Sequence, residues 1–180
     1  MTSSDQLWIL ICVILVFFMQ AGFGCLETGL VRSKNNINVA VKNFSDFVIS
    51  CTVFALFGYG IMFGSSFFGL FGVPDFSVLN DKDHLGLIFI FQMVFCGTCS
   101  TIVSGAGAER MSYLSYVILT IIIAGIIYPV GGHWIWGTGG WLAELGAHDF
   151  AGAIVVHAVG GWCSLAVAIL VGPRIGRFTS

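Results

Sequence analysis

The sequence predicts an all-α integral membrane protein of five transmembrane helices, and three observations lead there. Of the 180 residues, 57% are hydrophobic and only 9% charged, against about 25% charged in soluble domains. Water is therefore the wrong solvent for most of the surface. Five long stretches are free of Lys, Arg, Asp and Glu: 6–26, 47–74, 84–108, 111–143 and 150–173. Each is long enough for a helix through a hydrocarbon core about 30 Å thick. The basic residues also alternate sides with the odd-numbered parity that five crossings require.

The helices are expected near 6–31, 44–70, 85–108, 113–133 and 149–172. The first resembles a signal peptide in position, but Asp5 stands where positive residues belong and Gly22 and Gly24 make a poor cleavage site. It is therefore read as a retained helix. The fourth stretch is too long for one ordinary crossing, so Pro129 and the GGHWIWGTGG segment place its end near 133, with a glycine-rich loop after it. Glycine-rich spans imply closely packed helices.

Of the seven basic residues, Arg32, Lys34, Lys42, Arg110, Arg174 and Arg177 follow or flank the first, third and fifth helices. Lys82 alone lies on the other side, among Asp5, Asp75, Asp81, Asp83 and Glu144. The positive-inside rule then puts the N-terminus outside and the C-terminus in the cytoplasm.

Composition also excludes functions. A net charge of −2 with no basic block leaves nothing to bind nucleic acid. Cys96 and Cys99 have CxxC spacing but lie inside FQMVFCGTCSTIV with no second pair to complete a zinc site. Buried free cysteines act as small hydrophobes, so packing is the reading, with no metal and no cofactor expected. Nothing supports an enzyme beyond proton transfer.

Four polar or aromatic features stand out at membrane depth. Phe91 and Phe95 share a helix face at i,i+4; they pack or face lipid, or they plug a narrow channel. Gln92 beside them carries an amide that needs partners. Asp149 is placed to accept free N–H groups as an N-cap of the fifth helix, which is compatible with shaping a cation site. His157 lies eight residues further, or roughly 12 Å of helix rise, so the two are no catalytic dyad. It either satisfies another helix or lines a path for protons or small polar molecules.

Three stretches, in order and spread over most of the chain, carry a resemblance. They are MQAGFGCLETGLVRSKNNINVAVKN at 19–43, FQMVFCGTCSTIVSGAGAERM at 91–111 and HWIWGTGGWLAELGAHDFAGAIVVHAVGG at 133–161. The chain resembles the N-terminal part of the ammonium transporter family (Amt, Mep and Rh proteins), and Amt more than Rh. The resemblance implies the first five-helix unit of an inverted five-plus-five repeat fold, assembled as a homotrimer in the plasma or inner cell membrane, with a PII-type regulator on the cytoplasmic face. It implies that Trp136 stands beside an outer cation site and that Phe95 is one of two stacked gate phenylalanines. Asp149 then stabilises the vestibule, and His157 is the first of two pore histidines. Ala153 and Ile154 depart from a motif that often reads GG and T.

The implied activity is ammonium transport: NH4+ is recruited, gives up its proton, and crosses as ammonia past His157. The second gate phenylalanine, second pore histidine and C-terminal tail have no counterpart here, so the expectation is a fragment or a truncated product that is complete only with a second repeat. The alternatives are an ammonium-sensing receptor module, or a chain that is inactive by itself or pairs with full-length subunits.

Overall fold

The computed structural model describes residues 1–74, 85–176 and 178. Its helices form five spans long and apolar enough to cross a membrane: Ser3–Leu30, Ser33–Phe63, Gly86–Gly107, Tyr113–Glu144 and Ala153–Val171. Surface and interior are inverted relative to a soluble protein. Trp8, Leu15, Phe18, Leu114, Trp162 and Leu170 are exposed, whereas Glu27, Lys42, Asn43, Asp46, Thr101 and His133 are buried. Lipid solvates the apolar side chains, and the polar ones must find partners inside the bundle.

Helix α1 (Ser3–Leu30) opens with a capping box: Thr2 and Asp5 each accept the other's backbone N–H. A short 3-10 turn at Ser33–Asn35 leads into α2 (Asn36–Val53). That helix continues through a π-helical turn, Phe54–Gly58, into α3 (Tyr59–Phe63). The second span therefore starts well before 44, with Lys42 and Asp46 inside it. Both residues are buried in the bundle, so neither charge meets lipid.

This span also ends earlier than 70. Gly64 breaks it, and Ser65–Phe67 (β1) pairs antiparallel with Phe71–Val73 (β2). A Cβ at Gly64 would lie 2.0 Å from the Val73 carbonyl oxygen, so only glycine admits the returning strand. The charges expected at Asp75, Asp81, Lys82, Asp83 and Arg177 lie outside the described residues.

Helix α4 (Leu85–Gly107) is central and packs on α1, α2 and α8. Cys96 and Cys99 are fully buried in its core face, and all six cysteines are free. The fourth span runs from α5 (Tyr113–Ile122) through a π-helical turn, Ile123–Ile127, to α6 (Tyr128–Trp136). Pro129 follows directly on that π-helical turn, whose wider winding accommodates a residue without an N–H inside a continuing helix, so the span passes 133 before Gly137 ends it. The loop contains a short helix, α7 (Trp141–Glu144). The fifth span opens π-helically at Ala153–Ala158 and continues as α8 (Val159–Val171).

The π turns of the second and fourth spans face each other. A Cβ at Gly58 would stand 2.7 Å from the Ala124 carbonyl oxygen and 2.6 Å from Phe54 Cδ2. A backbone atom cannot step aside, so Gly58→Ala is expected to cost about 1–3 kcal/mol through overpacking. Thermal unfolding in detergent should show the drop; an unchanged melting temperature would mean that the two spans can separate freely.

Candidate functional site

The predicted site residues arrive from three elements. Phe91 and Phe95, one turn apart on α4, meet edge to face with centroids 4.9 Å apart. Phe95 also meets Trp136, the last residue of α6, edge to face at 6.2 Å. Phe91 belongs to a side cluster with Val13, Val16 and Val94, whereas Phe95 packs against both that cluster and the main core. Of the two rings, Phe95 is thus the one shared between the α1 side and the Trp136 side.

Asp149 lies outside the fifth helix and folds back onto its start. Its Oδ2 accepts from the Gly152 N–H at 2.8 Å, and its Oδ1 from the N–H groups of Ile154 at 2.5 Å and Val155 at 3.4 Å. Ala151 and Gly152 make the fold-back with φ of +53° and +83°. A Cβ at Gly152 would meet Val156 Cγ2 at 2.9 Å and Phe95 Cε1 at 3.7 Å. The Asp149 turn therefore lies directly against the Phe95 ring. The Asp149 carboxylate itself is half-buried and turned towards the N–H groups at the start of the fifth span.

His157 is placed differently. It lies in the π-helical opening of the fifth span, after the fully buried Val155 and Val156, and its own side chain is exposed. The same span also exposes Ile154, Trp162, Leu165 and Ile169. So the structure joins Trp136, Phe95 and the Asp149 turn, and leaves His157 on an outer wall. Gln92 Oε1 is buried without a hydrogen-bond partner.

His133 was not singled out in the sequence, yet it fixes the site's frame. It is fully buried, with Nδ1 2.8 Å from the Met62 carbonyl oxygen and Nε2 2.9 Å from Ser66 Oγ. A carbonyl only accepts, so Nδ1 carries a proton. Ser66 Oγ also lies 3.2 Å from the Gly139 carbonyl oxygen and accepts from the Gly69 N–H at 3.1 Å. Trp134 Nε1 donates to the Leu70 carbonyl oxygen at 2.8 Å. The β-hairpin, the end of α6 and the following loop are thus tied into one unit beneath Trp136. No signal in the sequence separates His133 from His148; only the pairing with Met62 and Ser66 does.

A second polar centre gathers at the other end of the bundle. Glu109 Oε1 accepts from Arg32 N at 3.1 Å, Arg32 Nε at 3.0 Å and Asn35 Nδ2 at 2.7 Å, while Arg174 lies 3.5 Å from Oε2. The hydrogen bonds from Asn35 and Arg32 hold the Glu109 carboxyl down to about 2. This end gathers Arg32, Arg174 and Arg110, and Arg110 donates to the Gly172 and Ala106 carbonyl oxygens. Lys42 reaches the same end, donating to the Met111 carbonyl oxygen at 2.7 Å.

Such a bundle, with an aromatic cluster and a capping carboxylate at one end and a basic cluster at the other, defines a multi-pass helical membrane protein. Comparison with known proteins names the class. The model of the Ammonium Transporter Family matches residues 7–180. A Synechocystis sp. protein named as a candidate ammonium transporter is 52% identical over 189 residues, covering 99% of this chain and 35% of the relative. Ammonium transporter Amt2 of Archaeoglobus fulgidus is 41% identical, covering 98% of this chain and 40% of that protein. Among solved structures, one described as a Sensor Amt Protein superposes with a TM-score of 0.91 at 46% identity, covering 97% of this chain and 46% of that one. The chain belongs to the ammonium transporter family, whose members are transporters rather than enzymes. It spans about two fifths of the length of these relatives.

Proposed function

We propose that this chain forms one wall of an ammonium transport path. The observation that carries the reading is the meeting of Trp136, Phe95 and the Asp149 turn at one end of the bundle. Trp136 and Phe95 attract NH4+ through their ring faces, worth roughly 0.5–2 kcal/mol, and Asp149 adds negative potential beside them. Phe95, with Phe91 behind it, is the gate that a hydrated cation does not pass. The cation gives up its proton there to water at the mouth of the path, because carrying a charge through the apolar zone costs far more than carrying ammonia. His157 then lines the path as a proton and hydrogen-bond partner.

His157 faces outward here, so the path closes only against a second wall. In this reading residues 1–180 make up the N-terminal part of the transporter domain. A second five-helix repeat covers the His157 face, and three such subunits assemble. The basic end, with Arg32, Arg110 and Arg174, faces the cytoplasm by the positive-inside rule; the N-terminus is outside, and a PII-type regulator docks on the basic end.

The test is uptake of ammonium by proteoliposomes containing the longest product of the reading frame. His157→Ala is expected to reduce pH-dependent uptake at least tenfold with membrane insertion unchanged, because the side chain is exposed on this wall and is not part of its buried core. Unchanged uptake would remove His157 from the path. Residues 1–180 reconstituted alone are expected to give no uptake; transport by them would overturn the need for a second wall.

A second reading rests on the likeness to the Sensor Amt Protein structure. The site would then bind ammonium to drive a signalling region. Ammonium-dependent change in a downstream kinase or cyclase activity, with no uptake, would select it.

A further inference from the structure

The seam between α1, α2 and α4 is crossed by two polar layers away from the aromatic site. In the layer nearer the basic end, Asn43 Nδ2 and Ser104 Oγ both donate to Glu27 Oε2, at 2.9 and 2.8 Å. In the deeper layer, Thr101 Oγ1 donates to Asp46 Oδ1 at 2.9 Å and accepts from Gln20 Nε2 at 2.8 Å. Asp46 is 1% exposed and Glu27 7%. Two carboxylates thus lie inside a membrane-spanning bundle, and among the described residues both recorded salt bridges go to Glu109 instead. Lys42, one turn before Asp46, donates a hydrogen bond to the Met111 carbonyl oxygen and stands 5.8 Å over the Tyr116 ring. If both carboxylates were ionised, the seam would carry an uncompensated negative charge, which burial strongly disfavours.

The hydrogen bonds show where a compensating proton fits. The Tyr116 hydroxyl has two acceptors within reach, Asp46 Oδ2 and the Ser100 carbonyl oxygen, the latter at 3.4 Å. It owns one hydrogen. With Asp46 ionised, that hydrogen goes to the carboxylate. With Asp46 protonated, the acid donates to the phenol oxygen and the phenol donates to Ser100. Both protonation states are fully bonded, so the proton can enter or leave without orphaning a buried group. Two further buried oxygens, Gln20 Oε1 and Asn43 Oδ1, have no partner and line the same seam. The ionisable groups around Asp46 are Glu27 on α1, Lys42 and Cys51 on α2 and Tyr116 on α5; α4 offers only Ser100, Thr101 and Ser104.

We propose that Asp46, with Tyr116, Thr101 and the neighbouring Glu27, forms a buried proton-binding site separate from Trp136, Phe95, Asp149 and His157. It holds its proton at neutral pH and keeps the seam near neutrality. It is a proton store inside the wall, not a stretch of the path for ammonia.

Infrared difference spectroscopy tests this without any ammonium, and so independently of the transport reading. The longest product of the reading frame is placed in phosphatidylcholine vesicles and titrated from about pH 5 to about pH 9, above the range where free carboxylates ionise. A protonated carboxylic-acid carbonyl band is expected to persist at neutral pH, to vanish in Asp46→Asn and to stay unchanged in Glu109→Gln. Tyr116→Phe, which keeps the ring, is expected to shift the band by removing its hydrogen-bond partner; it also decides the matter should Asp46→Asn fail to insert. No band at neutral pH, a band surviving Asp46→Asn, or a band unmoved by Tyr116→Phe would each overturn the proposal. So would a carboxylate band that moves on adding KCl, since the compensating charge would then be a metal cation.

Discussion

Asp149→Ala is expected to lower ammonium uptake by the longest product about 100-fold, the effect that a displacement on the order of 1 Å has at a positioned site. Two consequences combine. The carboxylate takes three N–H groups at the start of the fifth span, through both of its oxygens. Losing such a cap costs about 1 kcal/mol and loosens the turn that holds Gly152 against Phe95. The negative charge beside the aromatic rings is lost as well. Asp149→Asn separates the two effects, because its single carbonyl oxygen keeps part of the cap and none of the charge. The melting temperature of the Asn variant should lie between those of the wild type and the Ala variant, while uptake stays low. If Asn restores uptake together with stability, Asp149 acts as scaffold alone and has no share in drawing the cation.

The same residue shows what could be read from the chain. Lipid imposes its rule on long stretches, so the five spans were legible in runs without charge. Asp149 was legible as a cap because capping is local in sequence. The places where the reading moved are those where partners lie far apart in the chain. Counting charge-free residues put the second helix near 44, yet the helix starts at Asn36. Lys42 and Asp46 point into the bundle, where Met111, Thr101 and Tyr116, all more than fifty residues away, satisfy them. A window of sequence sees a charge and stops the span.

The β-hairpin after Phe63 was hidden for the opposite reason. The segment SSFFGLFGV is apolar enough to pass for membrane helix, and only the approach of Val73 to Gly64 reveals a turn. His133 was silent because a buried histidine is recognised by its partners, and Met62 and Ser66 come from another span and its hairpin. His157, by contrast, was noticed as an ionisable group at depth. Its exposure on this wall explains why its role cannot be read from these residues' own packing.

Glu109→Ala should have the largest effect on stability, because one carboxylate joins three parts of the chain. It ties the Arg32–Asn35 turn, its own turn after α4, and Arg174 beyond the fifth span, with its side chain only 3% exposed. Removing it leaves the Asn35 amide and two guanidinium groups without their acceptor. The expected loss is about 2–3 kcal/mol, below that of a fully buried pair because Arg32 is half exposed. The backbone provides a second test. Glu109 has φ of +65°, a left-handed conformation that side chains resist and glycine accepts. Glu109→Gly should therefore be about 1 kcal/mol more stable than Glu109→Ala, although both lack the carboxylate. The pH dependence follows from the carboxyl being held at about 2 against an ordinary 4.5. A lowered folded-state value means the clasp contributes fully above pH 4.5 and is lost as pH falls from there towards 2. In detergent, the wild type should thus lose melting temperature over that window faster than Glu109→Gln, which has no carboxylate to protonate. Parallel pH curves for the two proteins would show that Glu109 does not hold the three segments together. Equal melting temperatures for the Gly and Ala variants would show that the turn relaxes once the carboxylate is gone.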